Sequence, residues 1–272
     1  MSGPLPSHVW SHVRFVKAEA NGNDFLIVDA AAVAPPERHE FARRICRRHR
    51  GIGADGVEFV SPRGSGFDLQ LYNADGSEAE ISGNGSRCVA AFYARHGFRQ
   101  GDLFTGAGPR RATVLDGAGQ FWVVNIELGI PLLEPTLPLE VLGQTLPAHV
   151  LSMGNPQCVV RVEAFPANWR ELGAALECHP HFPAHTNVEF VRVLTRSRIE
   201  IRIFERGVGP THSSGTGSSA SAVAMIAAGL ADSPVEVVAE GGKQTVIWGG
   251  GKSPVQLIGP ASIVAEGVFL IP

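Results

Sequence analysis

Two stretches half a chain apart are copies of one another: ISGNGSRCVAAFYARHG (Ile81–Gly97) and SSGTGSSASAVAMIAAG (Ser213–Gly229). Each has Ser-Gly, one small polar residue, Gly-Ser, then a run of small and apolar residues closed by glycine. The interval from Gly83 to Gly97 equals that from Gly215 to Gly229, and Ser82 and Ser214 hold the same place in the two copies. A serine ahead of such a run is an N-cap, and a glycine at its far end is a C′ cap. The second run is small or apolar all round, the pattern of a helix buried on every side. A fold with one helix of this kind at its centre, made twice, is the constraint any architecture has to meet.

Short apolar β-branched segments such as FLIVD (Phe25–Asp29) and FWVVNIEL (Phe121–Leu128) recur through the rest of the chain, with turn signals between them. Asp116-Gly117 and Glu240-Gly241-Gly242 read as hairpin turns. Two further helices are expected, over Pro36–His49 and near Asn168–Leu176. The fold class is therefore α+β, built from two related halves. We place residues 1–125 in the first half and 126–258 in the second, with the last strand, about 259–272, returning to the first.

With 272 residues, 44% of them hydrophobic, the chain can bury a substantial core. A net charge of −3 gives no reason to expect nucleic acid or an anionic membrane as partner. The N-terminal MSGPLPSHVWSH has neither the basic nor the apolar region of a secretory signal, and no run is long enough to span a bilayer. The four cysteines, Cys46, Cys88, Cys158 and Cys178, show no metal-site spacing and no disulfide framework. A cytoplasmic protein without a metal is the expectation.

A buried helix that starts Gly-x-Gly-Ser presents free N–H groups and the positive end of its dipole, which together bind anions. Two such starts facing one cleft would hold a carboxylate between them, with Ser82 and Ser214 approaching the adjacent carbon from opposite sides. Taken singly, each serine is only a cap worth about 1 kcal/mol; the matched duplication is what adds a functional reading. GIGADG (Gly51–Gly56) has the glycine spacing of a dinucleotide fingerprint, but VEFV follows it and reads as strand where a helix is required. GKS (Gly251–Ser253) lacks the first glycine of a phosphate loop, and CHPHF (Cys178–Phe182) reads as a surface loop.

Six ordered segments carry a resemblance to the diaminopimelate epimerase family. They are GNDFLIVD (Gly22–Asp29), RGIGADGVEFV (Arg50–Val60), YNADGSEAEISGNGSRC (Tyr72–Cys88), SMGNPQCVV (Ser152–Val160), HTNVEFV (His185–Val191) and FERGVGPTHSSGTG (Phe204–Gly217). The resemblance implies two pseudo-symmetric halves, each a mainly antiparallel sheet or barrel wrapped round a central helix, with the active site between them. It also implies cofactor-independent conversion of LL-diaminopimelate to the meso form, a precursor of lysine and peptidoglycan, by one base and one acid on opposite faces of the α-carbon. By the same resemblance Asn73, Asn155, Asn187 and Arg206 hold the distal amino-acid end. Asn23 and Glu205 lie near the reacting centre, Glu205 also meeting the substrate ammonium. The N–H groups of Gly83, Asn84, Gly215 and Thr216 form the carboxylate cradle. The expected partner is this small amino acid, and members of the family often pair as homodimers.

This chain departs from the family where the chemistry is done. Both acid/base cysteines are serine, Ser82 and Ser214, and Gln157 replaces a histidine that partners the first cysteine. A serine hydroxyl is a far weaker acid than a thiol of pKa ~8.5 and acts only with a strong neighbouring base. Three readings stay open. They are a relay through Glu205 or His212 that sustains epimerisation, proton abstraction on one side only, as in a hydro-lyase, and binding of a diaminopimelate-like ligand without turnover.

Overall fold

The structure, a computed structural model, describes residues 12–270. The N-terminal segment read for a secretory signal lies outside them except for its last residue, as do the last two residues of the expected final strand. Among the described residues no helix is long and apolar enough to cross a membrane, and no cluster of His, Cys, Asp or Glu side chains is arranged to hold a metal ion. All four cysteines are free.

Among the described residues four α-helices are set among strands: α1 (Arg38–Ile45), α2 (Gly83–Ala94), α3 (Trp169–Glu177) and α4 (Gly215–Ala227). In the first half the strands 13–20, 23–29, 56–63, 66–73, 100–105, 108–118, 121–129 and 255–269 pair in ring order and close into an eight-stranded barrel. Two neighbouring pairs in that ring are parallel, 23–29 with 56–63 and 66–73 with 100–105. Parallel pairing demands a crossover, supplied by α1 for the first pair and by α2 for the second.

The second half repeats this order. Strands 156–161 and 187–195 are parallel across α3, and 198–205 and 235–239 are parallel across α4, with antiparallel hairpins between. The long strand 255–269 serves both halves: residues 256–258 pair with 245–247, and residues 262–269 lie along 13–19.

The two central helices are the repeated runs. In α2 and α4 the N-caps are Ser82 and Ser214, both with extended backbone angles. Both helices end in the same paired motif: Gly97 N–H donates to Ala94 O and Phe98 N–H to Tyr93 O, as Gly229 does to Ile226 O and Leu230 to Met225 O. The two glycines have φ of +94° and +70°, a conformation that disfavours a side chain. Every residue from Gly215 to Met225 is buried, and the small side chains of α4 let strands approach it all round.

Two local expectations are corrected. The helix read over Pro36–His49 is confined to Arg38–Ile45: Pro35–Glu37 forms a 3₁₀ turn, and the chain folds back so that Ile52 and Gly53 N–H groups occupy the Ile45 carbonyl. The turn placed at Asp116-Gly117 lies three residues later, at Gly119-Gln120. A bulge between Val114 and Asp116 shifts the register and carries the strand on to Ala118.

Candidate active site

The N-terminal ends of α2 and α4 meet head-on at the junction of the halves. A Cβ built on Gly215 would fall 3.1 Å from Gly83 Cα, and one built on Gly83 would fall 3.4 Å from Gly215 Cα. Only glycine permits that approach. Two positive helix ends brought this close repel one another unless an anion lies between them. Ser82 Oγ accepts from Gly85 N–H at 3.0 Å, and Ser214 Oγ accepts from Gly217 N–H at 3.1 Å. The caps consume those two donors. The N–H groups of Gly83, Asn84, Gly215 and Thr216 come earlier in each helix, where no helical carbonyl reaches them.

A cavity of about 380 Å³ opens onto this junction. Ser82, Gly83 and Asn84 line it from one helix, and Ser214, Gly215 and Thr216 from the other. Asn23, Asn73, Asn155, Asn187, Glu205 and Arg206 complete the wall, so one pocket gathers all twelve residues named from the sequence as catalytic or substrate-binding. Their side chains are already in place. Asn187 Oδ1 accepts from Arg206 N–H at 3.0 Å while its Nδ2 donates to Pro156 O at 2.9 Å. Asn155 Nδ2 donates to Thr216 Oγ1 at 3.4 Å, and Asn73 Nδ2 to Ser77 Oγ at 3.0 Å. Arg206 reaches across the cleft, its Nη2 4.0 Å from Glu80 Oε2.

Two residues named as auxiliaries are not in the pocket wall. Gln157 is fully buried and donates from Nε2 to Asn155 Oδ1 at 2.7 Å, so it orients Asn155 instead of facing the cleft. His212 is exposed. Extended backbone alternates its side chains, and it is Thr211 and Ser213 on either side that line the pocket. A relay from Ser214 through His212 is therefore corrected.

The sequence reading passed over a buried polar web behind the cradle. Asn84 Nδ2 donates to Asn23 Oδ1 at 3.0 Å and to Ser213 Oγ at 3.2 Å, and Asn23 Nδ2 donates to Asp55 Oδ2 at 2.7 Å. Arg87, fully buried one turn into α2, donates to Asn84 Oδ1 at 2.7 Å and to Gln244 Oε1 at 3.4 Å. Burial lowers its pKa to about 10, which still leaves a cation behind the cradle at neutral pH. Across the cleft, burial first and the Asp55 charge second push the Glu205 carboxyl up to about 7. That poises Glu205 to take or give a proton near neutrality.

Known structures share this architecture. A hydroxyproline epimerase from Agrobacterium vitis superposes with a TM-score of 0.73, covering 95% of this chain and 91% of that one at 16% identity. A phenazine biosynthesis protein from Bacillus anthracis does so with a TM-score of 0.73 over 96% and 99% at 17% identity. These likenesses define the fold class, a two-halved barrel round paired central helices.

The sequence comparisons go further. The profile of the diaminopimelate epimerase family matches residues 15–126 and 149–264. The diaminopimelate epimerase of Azoarcus sp. (strain BH72) is 36% identical over 96% of this chain and 100% of its own, and that of Desulforudis audaxviator is 38% identical over 95% and 99%. The chain belongs to the diaminopimelate epimerase family.

Proposed function

We propose that the protein is an amino-acid epimerase that interconverts LL- and meso-diaminopimelate, with Ser82 and Ser214 in the two acid/base positions. The observation that supports this reading is the close approach of the α2 and α4 starts, whose capping serines line one cavity. A carboxylate held by the free N–H groups puts its α-carbon between the two hydroxyls. Arg87 and the two helix ends stabilise charge that develops on the substrate when the proton leaves, and they do so without moving. Arg206 and the four asparagines supply the donors and acceptors that a second, distal amino-acid group requires.

LL-diaminopimelate incubated with the protein in D₂O is expected to acquire α-deuterium and to yield the meso isomer, read by NMR and chiral chromatography. Tight binding with no exchange at high enzyme concentration would overturn catalysis and leave a ligand-binding protein. A second reading draws on Glu205 alone: its proton affinity suits one-sided abstraction, as in loss of water from a hydroxylated amino acid. Release of a keto acid and ammonia from such a substrate would identify it.

The cradle itself is testable. Gly215→Ala places a methyl 3.1 Å from Gly83 Cα and 2.9 Å from Leu257 Cδ2, which forces the helix starts apart by a few tenths of an ångström. Misplacement in a site that works by positioning is expected to lower kcat/KM by about 10²-fold, while the thermal midpoint moves by only a few degrees.

A further inference from the structure

Beneath each central helix start lies a buried carboxyl that the mechanism above does not use. Glu58 and Glu189 sit in the same tetrapeptide, Val-Glu-Phe-Val, at Val57–Val60 and Val188–Val191, on the two strands that follow the crossovers α1 and α3. Both are essentially inaccessible, at 1% and 0% exposure. Glu58 Oε2 and both oxygens of Glu189 lack a hydrogen-bond partner among the described residues, and no lysine or arginine is paired with either. An unpaired buried carboxylate is costly, so both positions ask for a reason.

Their placement relative to the serines is the same in both halves. A Cβ built on Gly85 would lie 2.2 Å from Glu58 Oε1 and 3.3 Å from Ser82 Cβ; one built on Gly217 would lie 2.6 Å from Glu189 Oε1 and 3.2 Å from Ser214 Cβ. The second glycine of each repeated motif is thus the opening through which a carboxyl reaches the turn capped by a serine. In each half the serine four residues after the cap, Ser86 or Ser218, is also buried with an unpartnered hydroxyl. In the first half Glu58, Ser82 and Ser86 border one narrow void.

We propose that Glu58 and Glu189 are positioning residues that hold the proton exchanged by Ser82 and Ser214, one carboxyl behind each face of the substrate. This rests on the epimerase reading of the cleft. In the structure neither serine Oγ is hydrogen-bonded to its carboxyl. On the face where the α-proton leaves, the serine hydroxyl turns to the carboxylate behind it and passes its own proton there as its oxygen takes the proton from carbon. The C–H electron pair stays on the α-carbon. On the other face the protonated carboxyl returns a proton to its serine while that hydroxyl's proton forms the new C–H bond. Only bonds to hydrogen change, the number of protons is constant, and the two carboxyls trade charge states in each turnover. Burial raises the proton affinity of both carboxyls above the ordinary carboxylate value, and the neighbouring Glu205 charge adds to this at Glu189; in the relay one of the two is ionised at any moment. A weakly acidic hydroxyl requires a base of that kind, one whose proton affinity has been raised.

The test uses Glu58→Gln and Glu189→Gln, which keep shape and lose the exchangeable proton. Each variant should lose about 10²–10⁴-fold in α-deuterium incorporation from one stereoisomer, and the two variants should fail on opposite isomers, LL and meso. Equal loss on both isomers in both variants, or no loss, overturns the relay. If the unaltered protein exchanges no α-proton, the epimerase reading falls and the relay with it; exchange that survives both substitutions removes the relay alone. Infrared difference spectra supply a readout independent of turnover. Each substitution should delete part of the protonated-carboxyl C=O absorption of the folded protein, and unchanged absorption in both overturns the assignment.

Discussion

Replacing either capping serine by glycine should abolish proton exchange while leaving the fold nearly as stable as before. Glycine is a tolerated N-cap, costing only a few tenths of a kcal/mol against serine, and the extended backbone of Ser82 and Ser214 suits it. Ser82→Gly and Ser214→Gly therefore remove the hydroxyl and little else. General acid–base groups contribute about 10²–10⁴-fold, and that is the expected fall in α-deuterium incorporation from diaminopimelate for each variant. The thermal midpoint is expected to shift by no more than a few degrees. Retention of exchange in both variants would show that the serines are caps and nothing more, with the chemistry passing to Glu205. The double change Ser82→Cys with Ser214→Cys separates the relay from the hydroxyls it serves. A thiol is a far stronger acid than a hydroxyl, and a helix N-terminus lowers its pKa further, so in that background Glu58→Gln should cost much less exchange than it does beside serine.

The placement of the cleft was legible because one physical device, a glycine-rich start to a buried helix, is written twice with the same spacing. Both copies keep their caps at each end, and small side chains declare a helix enclosed on all sides. The asparagines and Arg206 were legible only through resemblance, since an asparagine beside a glycine reads first as a turn. His212 was misplaced because nearness in sequence says nothing of side-chain direction in extended backbone. Gln157 reaches the site at second hand, through Asn155. Glu58 and Glu189 escaped notice for a different reason. In a strand read by alternation a glutamate between apolar neighbours looks solvated, but these strands are covered on both faces. Val57 and Phe59 pack in the cluster that holds Phe41 and Ile45 of α1, and Val188 and Phe190 in the one that holds Leu172 and Leu176 of α3. The intervening positions then point at α2 and α4. The repeat of Val-Glu-Phe-Val was the signal available for finding them.

Stability should fall as the pH rises from 6.5 to 8, the reverse of what salt-bridged carboxylates produce. A glutamate in the unfolded chain loses its proton near the ordinary 4.5, whereas burial raises Glu58 to about 8, burial and the Asp55 charge raise Glu205 to about 7, and Glu189 lies well above the ordinary value. Between these limits the native state binds more protons than the unfolded one, so the free energy of unfolding declines with pH. The stabilisation is complete below about pH 4.5 and is lost as the pH climbs through each folded value. Carboxylates depressed by arginines and lysines, Asp24 and Glu40 among them, act below pH 4.5 and do not offset it. His149, lowered by burial, favours the native state only as the pH rises to its ordinary 6.5, and adds nothing above it. Each unshared proton contributes a slope of about 1.4 kcal/mol per pH unit, so Glu58 alone accounts for roughly 2 kcal/mol across this window. Urea unfolding of the unaltered protein at pH 6.5 and pH 8 should show the decline, and Glu58→Gln should remove about that much of it. A slope unchanged by the substitution would mean that Glu58 is already ionised in the folded protein at pH 6.5, and its raised proton affinity would be overturned.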